Sequence, residues 1–280
     1  KSYSKELPEE NRFEKTVLVN DLNNPMELAV APDGRVFFTE LAGNLSVFDT
    51  KTNKRKLVYR FPLTMKGGTG LIGITLDPDF ENNGWIYIYY SPPIEGEPII
   101  FNLSRFTISK TNVLDLNSEK ILIKVPVQIN SGAHHGGSLA FDKDKNLILS
   151  TGDGTTPFPS DGYAPLDERS GEKYYPMDAQ RSAANTNDYK GKILKIHPEK
   201  DGTYTIPEGN MFGQGIEKTL PEIFAMGCRN PYRIAINPKT NTIYWGEIGP
   251  DAGIDIKRGP RGYDEFNQAK RPGFYGWPYF

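Results

Sequence analysis

One pattern recurs four times along this chain and constrains its fold more than any other feature. It consists of a short apolar strand, a turn rich in Asp, Asn, Pro or Lys, and a second β-branched or aromatic strand. The copies occupy residues 26–40, 71–90, 137–153 and 232–247. Both strands of each copy are nearly continuous in apolar residues, which suits strands buried on two faces rather than one. Turns such as Pro32-Asp33-Gly34 and Asn237-Pro238-Lys239 carry the φ-presetting and left-handed-tolerant residues that hairpins use. A sequence that repeats one hairpin at intervals calls for a repeat architecture. Material for outer strands follows at 45–49, 102–108 and 191–196.

The repeat starts lie 45, 66 and 95 residues apart. The first interval is close to the about 40–50 residues of one four-stranded propeller blade. The longer intervals imply insertions, the largest from about residue 157 to 188, polar and without periodicity, read as a loop on one face. The expected fold class is therefore all-β: a β-propeller of four-stranded antiparallel blades, with about four blades' worth of sequence in residues 24–280. Residues 1–23 are an N-terminal segment, read as an outer strand of a blade. A β-sandwich is the competing architecture, but sandwiches do not repeat a single two-strand signature four times.

Charge narrows the function classes. Lys and Arg total 33 against 35 Asp and Glu, a net charge of -2, which offers no general attraction to nucleic acid. No apolar run approaches the roughly 20 residues of a membrane helix. The single cysteine, Cys228, excludes an internal disulfide and reads as a small buried residue. The segment from Lys1 to Glu6 lacks the apolar core of a signal peptide.

The most informative short stretch is His134-His135-Gly136-Gly137. Two of the three histidines in the chain stand together just before an inner strand, where a propeller opens its central channel. Histidine can accept a proton at neutral pH, and the paired glycines allow a close backbone approach. Adjacent histidines point apart, so a metal site there is disfavoured. The third, His197, reads as a strand-end surface residue. Asp153 and Asp188 each admit two readings, substrate binding or the capping of a turn. Arg229-Asn230 offers a guanidinium fork and an amide, suited to carboxylate or quinone oxygens, or to pairing with a blade acid. Gly249-Pro250, Asp264-Glu265 and Tyr275-Gly276-Trp277-Pro278 form a second cluster of carbonyl and carboxylate oxygens compatible with Ca²⁺.

Taken in order, these stretches resemble the soluble quinoprotein glucose/sorbosone dehydrogenases, which use pyrroloquinoline quinone (PQQ). The resemblance runs from about residue 24 to the end. It is carried by Gly70-Leu71-Ile72-Gly73-Ile74-Thr75-Leu76-Asp77-Pro78, Leu103-Ser104-Arg105-Phe106, the His134 to Phe141 stretch, Ser150-Thr151-Gly152-Asp153 and Gly191-Lys192-Ile193-Leu194. Arg229-Asn230-Pro231, Gly249-Pro250, Asp264-Glu265-Phe266-Asn267 and Tyr275-Gly276-Trp277-Pro278 complete it. Residues 163–169 and 182–188 are similar to a bacterial branch that works outside the cytoplasm.

The resemblance implies a six-bladed propeller with PQQ over the channel and Ca²⁺ beneath it. It implies that His134 is the general base, with Arg229 and Asp264 beside it in the catalytic set. Arg229, Asn230 and His135 are expected at the cofactor. The carbonyls of Gly249 and Pro250 are expected to ligate its Ca²⁺, and Glu265 and Tyr275 to attend a second, structural Ca²⁺. A small-molecule sugar is the implied substrate, with an external electron acceptor. Two other functions compete: a non-catalytic propeller that binds carbohydrate or a protein partner, and a Ca²⁺-dependent lactonase-type hydrolase. The chain departs from the family pattern at Ala133, where an Asp is usual, and at Gly68, where Gln or Glu is usual. It also carries an insertion from Asp251 to Tyr263. In the family, basic residues that grip the cofactor's carboxylates follow the Gly-Trp-Pro motif. Four repeat units against six blades point to an incomplete propeller without the C-terminal blades.

Overall fold

The computed structural model describes residues 12–96, 98–127 and 134–279. The Lys1–Glu6 stretch and Ala133 lie outside them. Four small sheets make up the fold. Strands β1 (Pro25–Val30), β2 (Arg35–Glu40), β3 (Asn44–Asp49) and β4 (Lys54–Arg60) form the first blade, antiparallel and in chain order. The second is built the same way from β5 (Leu71–Leu76), β6 (Trp85–Tyr90), β7 (Ile99–Ile108) and β8 (Leu114–Val127), with the single-turn helix α1 (Phe80–Asn83) between β5 and β6. The third comprises β9 (Leu139–Phe141), β10 (Leu147–Thr151), β11 (Lys192–Pro198), with β12 (Tyr204–Thr205) paired to β11, and β13 (Ile223–Met226). The fourth is three-stranded: β14 (Pro231–Ile236), β15 (Ile243–Glu247) and β16 (Glu265–Ala269). The short β17 (Gly273–Phe274) then returns to the third blade and pairs in parallel with β13.

Successive side chains of a strand point to opposite faces, and here each face meets a different blade. Ile86 and Ile88 pack toward the first blade, in a core with Phe37, Leu45 and Phe61. Tyr87 and Tyr89 pack toward the third, with Leu139, Leu147 and Leu149. Ile148 and Ile193 join Trp245 and Ile243 between the third and fourth blades. The near-continuous apolar runs are thus two interleaved stripes, one for each neighbour. The inner strand β1 departs from that expectation. Leu28 and Val30 are 60% and 61% exposed, because among the described residues a blade packs against one flank of the first sheet only.

The inner strands β1, β5, β9 and β14 line up in ring order. Arg233 on β14 donates a hydrogen bond to the Met26 carbonyl on β1. Irregular register between Pro25 and Leu28 turns Glu27 inward. Its carboxylate accepts from the backbone N–H of Ile74 (3.0 Å) on β5, the N–H of Leu139 (3.3 Å) on β9 and the Ser138 hydroxyl. The residues just before β1 (13–24) join no sheet. Between β10 and β11 the predicted long loop holds three 3₁₀ turns, Phe158–Ser160, Glu172–Met177 and Ala179–Arg181.

Candidate active site

The loop entering β9 sets the first functional side chain. His134 has φ of 62°, a left-handed conformation uncommon for a residue with a side chain. Gly136 and Gly137 follow at 59° and 101°. The histidine is nearly enclosed, its side chain 7% exposed. Its Nδ1 lies 2.8 Å from Oδ1 of Asp153, at the exit of β10. The β9–β10 hairpin makes this meeting: Leu139 pairs with Leu149, and beyond the strand end the Gly154 N–H donates to the His134 carbonyl.

Asp153 is fully buried and fully hydrogen-bonded. Besides His134, its carboxylate accepts from the Thr155 N–H (2.9 Å), the Thr155 hydroxyl (2.8 Å) and the indole N–H of Trp277 (2.7 Å). Burial alone would raise its pKa. The neighbouring His134 and the Thr155 donors outweigh burial and hold the carboxyl below its usual range. A carboxylate accepts only, so the shared proton places an N–H on Nδ1 of His134. In the neutral ring Nε2 then carries the lone pair, and it has no hydrogen-bond partner among the described residues. A buried carboxylate orienting an imidazole with its other nitrogen free is the arrangement of a general base.

Gly152 makes the close approach of the two segments possible. A Cβ there would sit 2.1 Å from the His134 carbonyl oxygen and 2.8 Å from Oδ1 of Asn230. Gly152→Ala is expected to cost about 1–3 kcal/mol, the usual range for overpacking. Urea denaturation checks this, and an unchanged midpoint would contradict the packing.

The neighbouring residues fall into place around this pair. His135 points away from His134: its Nε2–H donates to the Gly67 carbonyl at 2.7 Å, and its buried Nδ1 has no partner among the described residues. Burial pushes the His135 pKa down. Asn230 is held rather than free, its Oδ1 accepting from the Gly136 N–H (3.1 Å) and its own N–H donating to Glu247 (2.6 Å). Arg229 is 4% exposed at its side chain and donates to the Ile248 carbonyl (3.0 Å) and to Asp251 (3.3 Å). Cys228 is buried. Asp188 pairs with Lys190 at 2.9 Å and also caps that residue's N–H.

One cavity reaches the pair at Asp153 and a second lies beyond Trp277; His134 itself lines neither. The first, about 340 Å³, is polar and is lined by Asp153, Tyr175, Asn185, Asp188 and Lys190. The second, about 620 Å³, is lined by Arg229, Glu247, Gly249, Pro250, Glu265, Tyr275 and Trp277, together with Arg258, Arg261 and several tyrosines. Trp277 joins this cavity to the dyad through its bond to Asp153. The parallel pairing of β17 with β13 carries it there. Asp264 stands apart, exposed, its carboxylate capping the Gly249 N–H at 3.0 Å.

Cation binding can be tested on the oxygen atoms present. Among the described residues no three His, Cys, Asp or Glu side chains converge on a metal position. Gly249 and Pro250 line the larger cavity, and their carbonyls accept no hydrogen bond from any described residue. Two free adjacent carbonyls with Glu247 and Glu265 nearby fit a hard, oxygen-seeking cation such as Ca²⁺. The expected second Ca²⁺ position fits less well. Glu265 and Tyr275 both line the cavity, but the Tyr275 hydroxyl is bonded to the Gln268 carbonyl (3.3 Å).

A sequence profile described as glucose/sorbosone dehydrogenase matches residues 22–280. The chain belongs to this family. It is 27% identical over 276 residues to quinoprotein glucose dehydrogenase B of Acinetobacter calcoaceticus, covering 95% of this chain and 52% of that protein. The chain thus spans about half the length of that curated relative. Among solved structures, an oxidoreductase (glucose dehydrogenase) of Thermus thermophilus superposes with a TM-score of 0.70 at 25% identity, covering 94% of this chain and 66% of that one. The PQQ-bound aldose sugar dehydrogenase of Streptomyces coelicolor gives 0.68 at 23% identity, with 94% and 65% covered. The propeller expected from the repeat is the fold these proteins share. Among the described residues, no helix is long and apolar enough to cross a membrane.

Proposed function

We propose that this protein is a PQQ- and Ca²⁺-dependent dehydrogenase of a sugar or related alcohol, acting outside the cytoplasm and passing electrons to an external acceptor. The observation that carries the reading is the buried His134–Asp153 pair, joined through Trp277 to a cavity lined by Arg229, Gly249 and Pro250. His134 Nε2 takes the proton of the substrate hydroxyl. Asp153 keeps the lone pair of that nitrogen directed outward and stabilises the imidazolium as it forms. PQQ, when bound, supplies a two-electron oxidant for the hydride of the carbinol carbon. The Gly249 and Pro250 carbonyls would hold Ca²⁺ against it, and Arg229 gives that wall positive charge. Trp277 and the β13–β17 pairing shield the dyad from bulk water.

A second reading, a propeller that binds carbohydrate or a protein without turnover, is favoured by one observation: the Arg229 guanidinium is already engaged by Ile248 and Asp251. Reconstitution separates the two. Added PQQ and Ca²⁺ are expected to give dye-linked oxidation of aldoses and a change in quinone absorbance, both lost on chelation with EGTA. Absence of both turnover and absorbance change would refute the dehydrogenase. Binding on a glycan array without turnover would establish the second reading.

A further inference from the structure

The insertion from Asp251 to Tyr263 is a folded loop whose shape follows from its contacts. The Gly262 N–H donates to the Ala252 carbonyl (2.8 Å), and Ile256 and Gly259 exchange backbone hydrogen bonds at 3.0 and 3.1 Å. The Asp255 carboxylate caps the Arg261 N–H at 3.0 Å. Two bonds tie the loop to the long segment between β10 and β11: the Ala252 N–H to the Gly162 carbonyl (3.2 Å), and the Tyr163 hydroxyl to the Ile254 carbonyl (2.8 Å). At its base the chain doubles back tightly. A Cβ on Gly262 would lie 1.6 Å from the Pro250 oxygen, and one on Gly249 would lie 1.8 Å from the Tyr263 oxygen. The insertion therefore leaves and re-enters beside Gly249 and Pro250, two residues of the cavity lining.

This course brings Arg258 and Arg261 onto the cavity wall with Arg229. Their charges are weakly used. Arg258 lies 3.8 Å from Asp161 and Arg261 lies 3.6 Å from Asp255, beyond hydrogen-bond reach, and those acids are 86% and 66% exposed. Exposed pairs of this kind contribute little and exchange readily for a better anion. Neither guanidinium donates a hydrogen bond to any described residue, which leaves two planar donor forks unfilled. The rest of the wall is aromatic, with Tyr163, Tyr263, Tyr275, Trp277 and Tyr279. Aromatic faces with arginine forks, in a space within the about 300–1,000 Å³ of small-molecule sites, select a flat ring bearing carboxylates.

We infer that Arg258 and Arg261 form a carboxylate clamp on the insertion loop, binding a planar aromatic polycarboxylate within this cavity. On the proposed function above that ligand is PQQ, and the identity of the ligand rests on that reading. The insertion then serves the site instead of interrupting it.

Equilibrium titration followed by tryptophan fluorescence, with Trp277 as reporter, tests the clamp on two probes: PQQ with Ca²⁺, and benzene-1,3,5-tricarboxylate. Arg258→Gln with Arg261→Gln is expected to weaken both about 100-fold, roughly tenfold for each fork. Lysine at both positions should restore part of the affinity, as a point charge without the fork. Asp161→Asn with Asp255→Asn should tighten binding, because it frees the guanidinium groups and keeps the oxygen that caps Arg261. If the wild type binds PQQ and the glutamine variant binds it equally, the clamp is wrong and the dehydrogenase reading stands. Arginine-dependent binding of the tricarboxylate without any binding of PQQ upholds the clamp and removes the dehydrogenase. Binding of neither probe overturns both.

Discussion

Asp153→Asn is expected to lower turnover about 10²–10⁴-fold, the range lost when a general base is disabled. The geometry explains why so small a change should matter. Asp153 receives four donors and gives none: His134 Nδ1, the Thr155 N–H and hydroxyl, and the Trp277 indole. An amide can accept on one side only. If its NH₂ faces His134, the imidazole must turn its lone pair to Nδ1, and Nε2 becomes a donor unable to take a proton. If its NH₂ faces Trp277, the indole N–H loses its acceptor, at a cost of about 1–3 kcal/mol, and the negative charge that would stabilise an imidazolium is gone in either case. His134→Ala should lose at least as much turnover while leaving Asp153 its Thr155 and Trp277 donors. The check is kcat in the dye-linked assay beside PQQ affinity. A fall in kcat with unchanged affinity is the expected result, and unchanged kcat in either variant refutes the base assignment.

The blades were legible because their inner strands carry two apolar stripes, and no amphipathic helix does that over six residues. The strands that escaped the pattern are those with one wet face. In β8, alternation such as Ile123-Lys124-Val125 is visible at the end, but its first half, Leu114 to Lys120, is mostly polar, with four of its seven residues exposed. The isolated turn of α1 and the parallel return of β17 had no periodicity to read. Of the site, His134 stood out by rarity, and Asp153 by its place at a strand end, where turn capping was the stronger claim. The deciding signal was present in the hairpin register. A turn at residues 142–146 that pairs Phe141 with Leu147 also sets position 134 opposite 154, and so brings Asp153 beside the histidine. Of the larger cavity, the cluster of Gly249-Pro250, Glu265 and Tyr275 to Pro278 was legible, but the wall built by the insertion was not. It depends on an insertion folding back so that Gly262 rests on Pro250, and nothing in the composition of that loop encodes the return. The insertion read as a departure from the family pattern, and only the contacts place its two arginines on the wall.

Stability should fall as pH rises from about 4.5 to about 7, a trend opposite to that of a protein held together by ordinary carboxylate ion pairs. Two carboxyls cause it. Burial pushes Glu27 up to about 7, against the opposing effects of Ser138, Arg233 and the N–H groups of Ile74 and Leu139. Burial likewise pushes Glu247 up to about 7, against hydrogen bonds from Trp245 and Asn230. Each binds a proton more tightly folded than unfolded, so its contribution is complete below the unfolded value and is lost as the pH climbs through the folded one. For Glu27 the shift from 4.5 to about 7 corresponds to at most about 3 kcal/mol across that window. Asp153 works the other way, since its carboxyl is held low and its contribution disappears only in acid. Glu27→Gln keeps an acceptor for the β5 and β9 backbone groups and cannot ionise. It should therefore show a shallower pH slope, with His135, whose lowered pKa favours folding as the pH rises, opposing the remaining carboxyl, and with little loss near pH 5 and a gain near pH 8. Glu27→Leu removes the acceptor altogether. It leaves Ile74, Leu139, Ser138 and Arg233 without their common partner at the centre of the ring, and should cost upwards of about 3 kcal/mol at every pH. Urea midpoints at about pH 5 and pH 8 decide the matter. An equal slope in wild type and Glu27→Gln would show that the four inner strands do not share this carboxyl. A reduced slope would establish that the ring is fastened at its centre by a group that titrates near neutrality.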